Sequence, residues 1–272
     1  MLQRKKNYLC TLKKNEMKYQ IFFLNTLLIF LICTFGSCKK PASDPENPNH
    51  IPTSVTDIDG YEYAIKRFGN TLWMMENLRV TRYDTESPRS GDTVTFATQN
   101  HSVDIEKPYY NVVGNFTEHP YTDKLTDQIR KSLGFLYNWS AAAGVTKNNA
   151  SVSSNIQGIC PNGWRLPTIK DFDSLCYYVD AKEATGKRLK SIDGWYTLSG
   201  AGTNESKMNC YPAGLAVDCY FTRVGMQTMY WSATSISNSQ AGVLKLSFDI
   251  DGAELIYVNK IQANSVRCVK DL

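Results

Sequence analysis

The sequence predicts an α+β domain with antiparallel sheets, one main helix and long loops. Three observations carry this. Strand-like segments fill residues 57–83, one amphipathic helix follows at 168–179, and the clearest strand alternation begins at Leu244. Strands, then a helix, then more strands is the order of an α+β chain, not of a βαβ repeat.

The first segment justifies itself residue by residue. Asp59-Gly60 is a turn signal, Tyr61 to Lys66 alternates, Gly69-Asn70 suits a two-residue hairpin turn, and Thr71-Leu72-Trp73-Met74 returns. Residues 84–130 are polar and aperiodic, which predicts a long irregular surface excursion. Within it, Asp92-Thr93-Val94 resembles an O-glycosylation acceptor. Phe135 to Trp139 is an aromatic strand or helix start. Thr168 is a good N-cap with Asp171 three positions on, and Phe172, Leu175, Cys176 and Val179 mark one apolar helix face. A short helical turn is expected around Arg188 and Leu189. At the end, Leu244, Leu246, Phe248 and Ile250 alternate with Lys245, Ser247, Asp249 and Asp251, predicting a strand with one wet face. Asp251-Gly252 turns the chain, Glu254 to Val258 returns it, and Val266 to Val269 makes a last strand.

Before this domain the chain reads as a targeting segment. Six positive charges (Arg4, Lys5, Lys6, Lys13, Lys14 and Lys18) and Glu16 fall within residues 1–37, and Ile21 to Phe35 is a short apolar run. A basic flank followed by a short apolar core describes a secretion signal over residues 1–37, too short for a permanent membrane helix. Gly36-Ser37-Cys38 then resembles a lipobox, with Cys38 as the lipidated residue. Residues 38–54 read as a lipidated tether, with three prolines among the polar residues of 39–50. The folded domain is expected over residues 55–272. Acyl chains contribute about 0.8 kcal/mol per buried methylene, so multiple chains would hold the protein to a membrane. The expected location is the bacterial cell envelope, as an outer-membrane lipoprotein facing the periplasm or the cell surface.

Charge and composition exclude several functions. Removing residues 1–37 from the totals leaves 24 Lys+Arg against 25 Asp+Glu, so the rest carries about −1. No basic surplus remains to attract a nucleic acid. The mean hydropathy of −0.35 argues against a polytopic membrane protein. The three histidines, His50, His101 and His119, are dispersed, and no phosphate loop or nucleophile elbow occurs. No catalytic residue and no metal centre is therefore assigned.

Of the eight cysteines, Cys10 and Cys33 precede Cys38, and five remain in the domain. An exported domain sits where disulfides persist, yet five is odd. Cys176 lies on the helix stripe and is assigned as a buried free thiol. Cys160 and Cys268 flank strand-like segments, and a bridge between them would close a loop of about 108 residues. Cys210 and Cys219 form a second disulfide or remain reduced core residues.

A series of motifs then resembles the Fibrobacter succinogenes major paralogous domain family. They are Asp57 to Tyr63, Leu72 to Leu78, Tyr137-Asn138-Trp139, Cys160-Pro161-Asn162-Gly163-Trp164-Arg165-Leu166-Pro167-Thr168, Gly186 to Ser191, Gly202 to Ser206, Tyr230 to Thr234, and Val266 to Asp271. Together they cover about residues 57–271. The resemblance implies an exported lipoprotein of the kind found in Bacteroidetes and Fibrobacter. It also implies a C-type-lectin-like fold related to formylglycine-generating enzyme. It supports the Cys160–Cys268 bridge, since those positions match the family's paired cysteines. The metal-binding thiols and histidine clusters of catalytic relatives do not carry over. Lys207-Met208 and Ala213 depart from the family's usual residues.

The function expected is a non-catalytic envelope protein binding glycan or protein ligands, the alternative being an exported enzyme on the same fold. Asn204, Glu205 and Ser206 form the best polar ligand-binding loop, because amide and carboxylate oxygens suit sugars and could bridge a calcium ion. No other cofactor is expected. Trp73, Trp164, Trp195 and Trp231 are expected in the core rather than as sugar platforms.

Overall fold

The computed structural model describes residues 52–97, 104–113, 126–145, 155–180, 184–217 and 220–272. The expected signal segment, Cys38, the first part of the expected tether, Cys219 and all three histidines lie outside the described residues. Among the described residues no helix is long and apolar enough to cross a membrane.

The described residues form three sheets. The first holds β1 (Ser54–Thr56), β2 (Glu62–Phe68), β3 (Thr71–Met74) and, at its far side, the last strand of the chain. The β2–β3 hairpin turns through Gly69-Asn70, as the sequence predicts, with Gly69 at φ +60° where a side chain would be strained.

The second sheet begins inside residues 84–130, which corrects the expected surface excursion. β4 (Thr95–Phe96) and β5 (Tyr109–Val112) lie there, followed by the helix α1 (Asp127–Ser132). Val94, Ala97, Tyr109 and Val113 are buried. The strands are too short for a period-2 pattern to stand out. β4 pairs parallel to β5, so the sheets are not wholly antiparallel.

Phe135 to Trp139 is both things the sequence allowed. β6 (Phe135–Asn138) ends where Asn138 caps α2 (Trp139–Ala143) by accepting from the Ala141 N–H. The main helix is α3 (Ile169–Val179), closed by the capping box between Thr168 and Asp171. Phe172 and Leu175 are buried, while Cys176 and Val179 pack partly buried against the same cluster. A shorter α4 (Thr185–Leu189) follows.

β7 (Leu215–Val217) and β8 (Tyr220–Thr222) extend the second sheet. β9 (Gln227–Ser235), β10 (Gln240–Ser247) and β11 (Glu254–Asn259) make the third, with β10 in the centre. β12 (Ala263–Asn264) then joins β6 to β7, and β13 (Val269–Asp271) pairs with β3. The second sheet thus runs β4-β5-β6-β12-β7-β8.

β10 corrects the expected wet face. Leu244 and Leu246 join one core cluster, and Ala241 and Val243 join another, so both faces are covered. Lys245 is half-buried and pairs with Glu254 at 2.9 Å, and Ser247 is buried. Alternation of residue type here records which core each residue meets, not exposure to water.

Cys160 and Cys268 are joined by a disulfide, 108 residues apart in sequence. Cys176 and Cys210 carry free thiols. Cys210 is buried with a free thiol, and Cys219, its possible partner, lies outside the described residues. Cys176 is half-buried rather than fully buried, and burial pushes its thiol up to about 12.

Candidate functional site

The loop nominated from the sequence spends most of its polar groups on itself. Asn204 adopts φ +52°, its amide donates to Asn209 Oδ1, and its Oδ1 accepts from the Asn209 N–H at 2.9 Å. Buried Ser206 donates to the Arg188 carbonyl at 2.8 Å and accepts from the Met208 N–H. Glu205 is exposed and pairs with Arg188 at 3.3 Å. Glu205 and Ser206 do line a hollow with Lys66, Phe68, Tyr178 and Arg188, but it encloses only about 250 Å³. That is below the usual 300–1,000 Å³ of ligand pockets. The structure brings Asn204, Glu205 and Ser206 together as a folded turn, not as a converging set of ligands.

A larger cleft of about 540 Å³ lies elsewhere, lined by Tyr61, Arg79, Val112, Val113, Arg130, Lys131, Gly134 and Phe135. Tyr61 precedes β2, Arg79 follows β3, and Val112 ends β5. Arg130 and Lys131 sit in the last turn of α1, where cations suit the helix dipole. Gly134 at φ +65° turns the chain from α1 into β6. A Cβ there would stand 2.6 Å from Asn77 Cβ and 2.8 Å from the Leu78 carbonyl oxygen. The Phe135 N–H bonds that same carbonyl at 2.9 Å, tying the cleft floor to the segment that carries Arg79.

The Arg79 guanidinium lies 4.7 Å from the Tyr61 ring centroid and 5.7 Å from that of Tyr63. Its Nε is buried without a hydrogen-bond partner among the described residues. Among the described residues, Asp57 and Asp59 are otherwise engaged. Asp57 accepts from the Asp59 and Tyr61 N–H groups at 2.9 Å and from the Tyr63 hydroxyl at 2.6 Å. Asp59 accepts from both the backbone and hydroxyl of Thr81 and pairs with Arg82. Partial burial opposes ionisation of Asp59, but these bonds outweigh it and hold its carboxyl below the usual range. Tyr63 is pushed well above its ordinary value, first by burial and then by its bond to Asp57, so it stays a neutral phenol. Phe135, also lining the cleft, stacks on Tyr110 with centroids 5.0 Å apart.

A family model described as the Fibrobacter succinogenes major domain matches residues 67–270. The chain belongs to that family. Searches among curated proteins and among solved structures found no match.

In this Fibrobacter succinogenes major domain, the motifs mostly build the scaffold. Cys160 to Thr168 turns at Asn162-Gly163 and bridges to β13 through two Arg165–Val269 backbone bonds of 2.8 and 2.9 Å. The Arg165 guanidinium binds Asp171 at 2.7 Å and Asp271 at 2.6 Å. Lys190, buried, donates to the Ser247 and Ile250 carbonyls. Arg267, buried, donates to Asn77 and to the Met208 and Asn209 carbonyls. Trp73, Trp164, Trp195 and Trp231 are all buried, as is Trp139. The indole N–H groups of Trp139, Trp195 and Trp231 are bonded inside the core, so those rings are not sugar platforms.

Sequence reading missed Arg79, Arg130 and Lys131. Arg79 directly follows the Leu72 to Leu78 motif. The Arg130-Lys131 pair stood at the end of a segment set aside as loop, although Gly134 after it was a helix-stop signal.

Proposed function

We propose that this is a non-catalytic, lipid-anchored cell-envelope protein whose domain, on a C-type-lectin-like scaffold, binds ligands at the bacterial surface. The cleft between Tyr61, Arg79 and Phe135 is the ligand seat, and its geometry is the observation that carries the reading. It is the right size for a ligand and combines aromatic walls with a few oriented polar groups. Its residues stand at the ends of strands and a helix that the core holds in place. Family membership and the apolar run before Cys38 support export and anchoring. The Cys160–Cys268 bond supports the non-catalytic reading, because a thiol-dependent centre would need those sulfurs free.

Two measurements test this. Metabolic labelling with palmitate should tag the wild-type chain and leave Cys38→Ala unlabelled. A glycan array probed with the full mature protein, with and without calcium, should return ligands whose binding weakens in Phe135→Ala. An unlabelled wild-type chain in the soluble fraction, or array binding indifferent to Phe135→Ala, would overturn the corresponding half of the proposal.

A further inference from the structure

The chemistry of the cleft narrows its ligand. We infer that it takes an acidic oligosaccharide, with a carboxylate or sulfate held by Arg79 and Lys131 and a sugar ring laid against Tyr61 or Phe135. This rests on the reading of the cleft as the ligand seat.

Charge is the first argument. Residues 38–272 are close to neutral overall, yet three cations line this one cleft and no Asp or Glu does so among its described lining residues. Arg79 gives a more specific pointer, since it lines the cleft and its guanidinium rests against Tyr61 and Tyr63 rather than a carboxylate. Asp57 and Asp59, the acids close by, are committed to Tyr63, to Thr81 and Arg82, and to backbone N–H groups. The guanidinium sits over the Tyr61 and Tyr63 rings, and its planar fork matches a carboxylate or sulfate.

The walls supply the second argument. Val112, Val113 and Phe135 add apolar surface that a bare inorganic anion would not use. A pyranose carrying an acid group offers both an anion and a C–H face. A nucleic acid would demand a longer basic track than three side chains.

The test is titration of the full mature protein, in detergent, with dextran, dextran sulfate and polygalacturonate at low and moderate salt. The expected result is binding of one or both acidic polymers, weakened by salt, with plain dextran at least about tenfold weaker. Arg79→Gln should lose about tenfold in affinity for the acidic polymer. Lys131→Gln, on an exposed residue, should weaken binding several-fold and serves if Arg79→Gln fails to fold. Lys170→Gln, on the exposed start of α3, should change nothing. Equal binding of dextran and dextran sulfate, lost in Phe135→Ala, would overturn the acidic class while leaving the seat in place. Acidic-polymer binding indifferent to Arg79→Gln, Lys131→Gln and Phe135→Ala would overturn both. Failure of all three polymers to bind would overturn the inference.

Discussion

Arg165 shows how single residues organise this domain. Its guanidinium joins Asp171 of the α3 capping box to Asp271 of the last strand. Burial opposes ionisation of Asp171, but hydrogen bonds from Arg165 and Thr168 outweigh it and hold the carboxyl below its ordinary value. A carboxylate with a lowered folded-state pKa contributes stability above its unfolded pKa. That contribution is lost as pH falls through the folded value. Stability should therefore drop below about pH 4, and Asp171→Asn should flatten that acid limb while lowering stability at pH 7 by about 1–3 kcal/mol. Urea unfolding from pH 2.5 to 7 measures both effects. The free thiols make a second residue-scale prediction. Burial raises both Cys176 and Cys210, so iodoacetamide at pH 8 should label them slowly in the folded protein and quickly in urea. Fast labelling of the native protein would contradict the placement of these side chains.

Elements differ in how much of them the sequence discloses. The helix α3 was legible because local chemistry specifies it: Thr168 and Asp171 close its start, and Phe172, Leu175, Cys176 and Val179 repeat at helical spacing. The β2–β3 hairpin was legible for the same reason, through Gly69-Asn70. β4 and β5 were not, because two- and four-residue strands carry no readable period and owe their existence to partners distant in sequence. β10 misled in the opposite way, since its alternation of residue type survives although cores cover both faces. The turn from α1 into β6 is the element-scale test. Gly134→Ala combines a left-handed backbone with a 2.6 Å approach to Asn77. It should destabilise by about 2–4 kcal/mol, lower the melting temperature by several degrees and weaken ligand binding in the fraction that folds. A melting temperature unchanged from wild type would remove Gly134 from the account.

At the scale of the whole domain, the last strand is fastened to segments far earlier in sequence. β13 lies against β3, and Cys268 just before it is bonded to Cys160 in the loop leading to α3. Constraint of a loop this long in the unfolded chain predicts a loss of about 2–5 kcal/mol when both cysteines become alanine, read as a lower urea midpoint with a steeper slope, since the uncrosslinked chain exposes more surface on unfolding. The scaffold was largely legible because its motifs carry turns, caps and buried pairs close in sequence. The cleft was not, because Tyr61, Arg79, Arg130 and Phe135 meet only through the packing of different sheets. The Asn204-Glu205-Ser206 loop showed the converse: residues that look like ligands in sequence are engaged within the fold, Asn204 by Asn209 of its own turn and Glu205 and Ser206 by Arg188. Hydrogen exchange of the full mature protein with and without polygalacturonate tests the central claim most directly. Slowed exchange in peptides spanning residues 76–82 and 129–137, with residues 202–210 unchanged, is the predicted result. Protection confined to residues 202–210 would contradict it and return the ligand seat to the loop.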